Sequence, residues 1–240
     1  MNLLDKEVLL VDKPAGLSSF AVVARVRRIL TEQVREKAVS LGQTAPKRAK
    51  VGHAGTLDPF ATGLLICLLG KGTKKATEFL KLDKRYEATI CLGKVSSTGD
   101  VEGEISEYDF LGAPLEKHIP DISQVKEVVK GFKGEIQQKV PAYSAVKIDG
   151  RRAYDLARKG IEVEMPVRKV QIYDIKVVDY QWPELKIACH VSSGTYIRAL
   201  GEDIGAALGV GGYLTELRRT EIGEYRVSEA MTLGELGIKD

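Results

Sequence analysis

The chain has 240 residues, 44% of them apolar and 29% charged, with a net charge of +3. That length supports one large domain or two small ones with a sizeable core, and the composition is that of a soluble globular protein. Cys67, Cys91 and Cys189 are odd in number and far apart, which argues against a disulfide framework or a zinc site and fits a reducing compartment. No segment approaches transmembrane length and Met1 to Val11 has no signal-peptide pattern, so a cytoplasmic protein is expected.

Glu7 to Val11 reads as a short buried strand, and Lys13-Pro14-Ala15-Gly16 as a turn. Ser18 or Ser19 caps a helix from Phe20, in which Val22, Val23, Val26, Ile29 and Leu30 form one apolar stripe. Thr31 to Lys50 is weakly periodic: it extends this helix and ends in a basic loop. Val51 to Gly63 is dense in turn residues and feeds the apolar run Leu64 to Leu69, expected to be a central strand. Thr73 is expected to cap a short helix with Ala76, Phe79 and Leu80 inward. Gly70-Lys71-Gly72-Thr73 is not a nucleotide loop, because Leu65 stands where its first glycine belongs and Lys71 is followed by Gly72.

Tyr86 to Leu92 alternates as a half-buried strand, with Tyr86, Ala88, Ile90 and Leu92 on one face. Thr98-Gly99-Asp100 is a turn. Ser123 is expected to cap a helix with Val125, Val128, Val129 and Phe132 on one face. Val140 to Arg152 reads as a loop-rich basic arm with an exposed Tyr143, and Ala153 to Lys159 as a short helix ended by Gly160. Arg168 to Asp179 is a strand with a bulge near Tyr173, and Glu184 to Ser192 is its alternating neighbour. A helix from Tyr196 buries Ile197, Leu200, Ile204 and Leu208. A last strand holds Tyr213, Thr215 and Leu217, and Thr232 to Glu235 matches a capping box. Strands and helices do not alternate regularly, so the fold class is α+β with a mixed, mostly antiparallel sheet.

Charge is segregated along the chain. Arg25 to Lys50 holds eight basic and two acidic residues, while Asp100 to Glu127 holds eight acidic and two basic. A polyanion on one face suits this pattern, and nucleic acid leads the list. Chemistry narrows to His53, Asp58, Tyr86, Lys147 and Arg198. No Gly-x-Ser-x-Gly elbow supports a serine hydrolase, and no cluster of ligands supports a metal site. Arg198 in the first turn of a helix is unfavourably placed for a cation, which hints at a carboxylate partner. An aspartate held by an arginine stays ionised and can act as a nucleophile.

Six blocks stand in order: Asp12-Lys13-Pro14-Ala15-Gly16, Gly52-His53-Ala54-Gly55-Thr56-Leu57-Asp58-Pro59, Lys84-Arg85-Tyr86, Val140 to Lys147, Gly194-Thr195-Tyr196-Ile197-Arg198 and Leu217-Arg218-Arg219-Thr220. Together they resemble the bacterial tRNA pseudouridine-55 synthases over nearly the whole chain. The resemblance implies a pseudouridine synthase fold, one catalytic domain over 1–240, with residues 134–160 as a thumb-like insertion. It implies a tRNA TΨC stem-loop as partner, no metal or organic cofactor, and a monomer. Asp58 would be the attacking aspartate, at the base ring or the ribose, Tyr86 would stack on the flipped base, and Arg198 would pair with Asp58. His53 would fill the gap left by the extruded nucleotide, Leu217 would line the base pocket, and Lys13, Tyr143 and Lys147 would contact substrate. Two departures stand out. The usual C-terminal RNA-binding domain is expected to be absent, and 31–50 is a basic insertion longer than the family's link. A guide-RNA pseudouridylation subunit and a non-catalytic RNA-binding module are the alternatives.

Overall fold

The computed structural model describes residues 2–44, 46–110, 118–148 and 150–238. Position 149 of the arm and 111–117 of the acidic segment lie outside them. In chain order the elements are β1 (Val8–Lys13), α1 (Ser19–Ser40), β2 (Val51–His53), β3 (Thr62–Leu69), a 3-10 turn (Gly70–Lys75) running into α2 (Ala76–Lys81), β4 (Lys84–Leu92), β5 (Lys94–Ser96) and β6 (Ile105–Glu107). Then come α3 (Ile122–Gly131), β7 (Gly134–Lys139), β8 (Lys147–Ile148), β9 (Arg151–Arg152), α4 (Ala153–Ala157), β10 (Val167–Gln181), β11 (Glu184–Val191), α5 (Ile197–Ala207), β12 (Gly212–Ile222) and β13 (Tyr225–Arg226). Residues cluster into two compact units, one holding the chain up to Arg85 and from Arg218 on, the other Tyr86–Leu217. β4 and β12 each continue across that division.

In the first unit β3 lies between β1 and β12, antiparallel to the former and parallel to the latter. β3 is apolar on both faces because both are covered. Leu65, Cys67 and Leu69 join the α1 stripe of Val22, Val23, Val26 and Leu30, while Leu64, Ile66 and Leu68 meet Ala54, Phe79 and Ile222. The α1 stripe is as expected, and Ser18 is the cap, its side chain accepting from the Ala21 amide. Cys67 is packed here, and burial pushes its thiol up to about 12.

Leu80 departs from expectation: it is exposed, while Phe79 is buried. The 3-10 turn before α2, with its tighter winding, resets the phase of the inward face. Thr73 does not cap α2; its hydroxyl donates to the Gly70 carbonyl.

In the second unit the strand order is β12-β4-β11-β10-β7, with β11 and β7 antiparallel to β10. The expected bulge is present: register slips between Ile172 and Asp174, leaving Tyr173 unpaired, and again between Val177 and Asp179. α3 begins at an Asp121 cap rather than at Ser123. Asp121 accepts from the Ser123 and Gln124 amides and Gln124 answers with a bond to the Asp121 amide, closing a full capping box. The arm has a small core of its own, in which Val140, Ala153 and Met165 are buried with Val146, Ile148 and Tyr196 against them.

Candidate active site

The first unit carries the loop between β2 and β3, on which His53 and Asp58 stand. Apolar residues behind it fix its ends: Ala54, Leu57 and Ala61 are buried. Its backbone is gripped from three directions. Ser19 at the start of α1 donates to the Leu57 carbonyl and accepts from the Leu57 amide, both at 2.8 Å. Gly16 donates its amide to the Pro59 carbonyl at 2.8 Å. Lys13 donates to the carbonyls of Pro14, Leu17 and Pro59 at 2.8, 2.7 and 3.1 Å. Lys13 is fully buried beneath the loop, while the resemblance implies that it contacts substrate.

Arg219, on β12, holds the loop from the third direction. It is 1% exposed, and its guanidinium donates to the carbonyls of Leu64 (2.8 Å), Gly55 (3.1 Å) and Thr56 (3.4 Å). One planar fork thus joins the start of the loop to the strand after it. Gly63 makes this approach possible. Its φ is +101°, and a Cβ there would lie 2.3 Å from the Arg219 carbonyl oxygen. Lys84, also buried, donates to the carbonyls of Leu80 and Leu82. Burial, then the charge of Arg219, lowers its ammonium to about 8. The neighbouring Arg218 makes a two-pronged pair with Asp12, at 3.1 and 2.7 Å.

His53 is half-buried. Burial, followed by the charge of Arg219, holds its imidazole below the usual range, opposed by the Gly55 backbone. It is neutral at pH 7. Asp58 is half-buried at the loop's turn, where its carbonyl accepts from the Ala61 amide at 3.2 Å.

The second unit carries Tyr86, Arg198, Leu217, Tyr143 and Lys147. Tyr86 and Leu217 are 8% and 7% exposed and lie on the neighbouring strands β4 and β12. Arg198 is in the first turn of α5 and 4% exposed. The hint of a carboxylate is met within this unit by Asp100, whose Oδ2 lies 3.3 Å from Arg198 Nη1. Asp100 is itself 2% exposed, and its Oδ1 accepts from the Thr98 hydroxyl and the Glu102 amide at 2.6 and 2.9 Å. Arg198 also donates to the Thr98 carbonyl and to the Tyr143 carbonyl, each at 2.8 Å. It therefore ties the 98–100 turn to the arm. Gly99 closes that turn at φ +74°, and a Cβ there would meet the Glu202 carboxylate at 2.9 Å.

Gln138 is 1% exposed and makes a reciprocal pair with the Tyr196 backbone, giving Nε2–H to its carbonyl at 3.0 Å and accepting its amide at 2.8 Å. Tyr143 is half-buried, not exposed, and it is its carbonyl that Arg198 engages. Lys147 is exposed on the β8–β9 hairpin, directly across from Arg152.

Sequence reasoning missed Arg219, Lys84, Ser19 and Asp100 as parts of the site. Arg219 had a usable signal: on an alternating strand it shares the face of Leu217, so an arginine there is buried and needs acceptors. Among the described residues no group of three or more His, Cys, Asp and Glu is placed to hold a metal. No described helix is long and apolar enough to cross a membrane.

Residues 43–197 match the family described as TruB family pseudouridylate synthase (N terminal domain), and residues 198–238 match the tRNA pseudouridylate synthase B C-terminal domain. The tRNA pseudouridine synthase B of Corynebacterium jeikeium (strain K411) is 41% identical over 235 residues, which are 95% of this chain and 70% of that protein. The protein of the same name from Bacteroides fragilis (strain ATCC 25285) is 43% identical over 231 residues, 96% of this chain and 92% of its own. Among solved structures, a chain of the archaeal box H/ACA sRNP Nop10-Cbf5 complex is similar at a TM-score of 0.63 and 27% identity, over 97% of this chain and 53% of that one. A Cbf5-Nop10-Gar1 complex gives 0.61 and 30%, over 97% and 56%. The chain thus spans about half the length of those two neighbours and most of the bacterial relatives. On the family match and these identities, the chain belongs to the TruB family of pseudouridylate synthases.

Proposed function

We propose that the chain isomerises uridine to pseudouridine at position 55 in the TΨC arm of tRNA, with Asp58 as the attacking group. The bond from the uracil N1 to the ribose breaks, the base turns, and a bond from C5 replaces it. No redox partner is needed, because the product is an isomer of the substrate. The observation that carries this reading is the grip on the Asp58 loop. Lys13, Ser19 and Arg219 hold a short turn by its carbonyls, which pre-positions a carboxylate at low reorganisation cost.

A base within a folded RNA loop has to be extruded before its glycosidic bond is reached, at a cost of roughly a few kcal/mol. Tyr86 stacks on the extruded base, Leu217 lines its pocket, and His53 fills the vacated space as a neutral ring. Arg198 pairs with Asp58 in addition to Asp100. Tyr143 and Lys147 on the arm meet the RNA, and Lys13 acts through the loop it holds. The enzyme works as a cytoplasmic monomer without metal or organic cofactor.

The test is direct. Unmodified tRNA transcript is incubated with the purified chain and pseudouridine is mapped. Product at the TΨC-arm uridine without any guide RNA is expected from the native chain and none from Asp58→Asn, which still binds tRNA. A requirement for guide RNA would favour a guide-RNA pseudouridylation subunit instead; full activity of Asp58→Asn would overturn the mechanism.

A further inference from the structure

Residues 46–50, whose Lys47, Arg48 and Lys50 end the basic insertion, lie against α1. An open groove of about 250 Å³ lies between them, lined by Arg27, Arg28, Thr31, Glu32, Arg35 and Arg48. Four guanidiniums face one carboxylate. Among the described residues none of these arginines forms an ion pair.

The groove is built rather than incidental. Arg27 donates to the Val51 carbonyl at 2.7 Å and Arg35 to the Lys47 carbonyl at 2.9 Å. Thr31 donates to the Arg27 carbonyl and accepts from the Ala49 amide, at 2.6 and 3.1 Å. The loop is thereby fastened to the helix, and two of the guanidiniums are held in place with most of their five N–H donors unused by the described bonds. Arg48 comes from the loop and the others from α1, so the charges converge from two elements. Burial and then the charge of Arg48 lower the Arg27 guanidinium from its usual value, as expected where like charges face each other. Beside them Phe20 is 65% exposed, with the Arg27 guanidinium 5.8 Å above its ring.

We propose that this groove is a phosphate-binding subsite for the RNA backbone of the substrate, additional to the site around Asp58. Convergent guanidiniums are matched to phosphate oxygens, and an exposed ring capped by arginine is a stacking surface for a base. Its position along the fold suits a substrate that continues past the reacting nucleotide. Ser19, which holds Leu57 of the Asp58 loop, is on the same helix. Arg27 and Arg35 follow it by about 12 and 24 Å of helix rise. This inference rests on the reading of the chain as a tRNA-modifying enzyme.

Binding of unmodified tRNA transcript is measured across a salt series for the native chain and for the triple variant Arg28→Gln, Arg35→Gln, Arg48→Gln. Removing three guanidiniums that neutralise phosphates makes the slope of log K against log salt shallower by about 2, and affinity at 0.1 M salt falls at least about tenfold. The triple variant with Lys at the same positions keeps most of the slope, and for the Gln variant the rise in KM for tRNA exceeds any fall in kcat. Arg28→Glu, at an exposed position, gives a separate weakening if the triple variant is poorly folded. Unchanged slope and affinity in a folded Gln variant, or in Arg28→Glu, would overturn the subsite. Absence of pseudouridine with the native chain is a different outcome. It would sink the enzymatic reading while the salt slope still reported on the groove.

Discussion

Arg219 donates its Nε–H to the carbonyl of Leu64 at 2.8 Å, although 155 residues separate them. The same guanidinium reaches Gly55 and Thr56. An ammonium cannot reproduce that fork, so Arg219→Lys leaves at least one buried carbonyl without a donor, at about 1–3 kcal/mol each. Loss of loop registration is expected to lower kcat by about 10- to 100-fold with KM for tRNA changed little. Steady-state kinetics with a folded-fraction control checks this. A fall in rate that merely tracks the folded fraction would show that Arg219 does not position the loop.

Gly63 tests the same joint from the other side. Gly63→Ala forces a side chain into a left-handed φ and against the Arg219 backbone. The strain alone is about 1–3 kcal/mol, and the 2.3 Å approach adds to it. Urea unfolding should show a lower midpoint with an unchanged slope. A variant as stable as the native chain would contradict the close approach of β3 to β12.

Lys84 gives a pH dependence with a definite sign. Its folded value of about 8 lies below the ordinary 10.5, so between these values the unfolded chain binds more protons. Its contribution to stability therefore rises from pH 8 to 10.5 and is lost as pH falls back through 8. The difference in unfolding free energy between the native chain and Lys84→Met isolates this group from other titrating residues. That difference should move in favour of the native chain across the window; a flat difference would place the ammonium in a solvated setting.

Asp100 and Arg198 form a pair almost free of solvent. Asp100→Asn removes the charge while keeping shape, and breaking such a pair costs about 3–5 kcal/mol. The expected signature is lower thermal stability together with a reduced kcat, because Arg198 holds both the 98–100 turn and the arm. Native stability in Asp100→Asn, measured by thermal unfolding, would mean that another group balances Arg198.

Much of this architecture is legible in the sequence. The α1 stripe, the all-apolar β3, the alternation of β4 and β11 and the bulge at Tyr173 are written in local periodicity, which short-range sterics read directly. Errors arise where two local signals compete. Asp121 and Ser123 are both good caps, and the choice falls to Asp121 because Gln124 sits three residues on. Leu80 looks inward only until the tighter turn before it shifts the phase. Of the proposed site residues, Asp58, Tyr86, Arg198 and Leu217 are read from their blocks. Arg219, Lys84 and Asp100 are not, because their partners are carbonyls or side chains brought close only by tertiary folding. Lys13 is of the same kind: it is visible as part of a block, but the three carbonyls that seat it are gathered only by folding.

Gln138 adds a mechanical consequence. A primary amide has a donor and an acceptor side by side, as a strand residue has, so its pair with Tyr196 extends the hydrogen-bond ladder of β7 through a side chain. The root of the arm is thereby bolted to the first turn of α5. Two residues further on, Arg198 ties the Thr98 and Tyr143 carbonyls together, so one short stretch of chain anchors the strand, the turn and the arm at once.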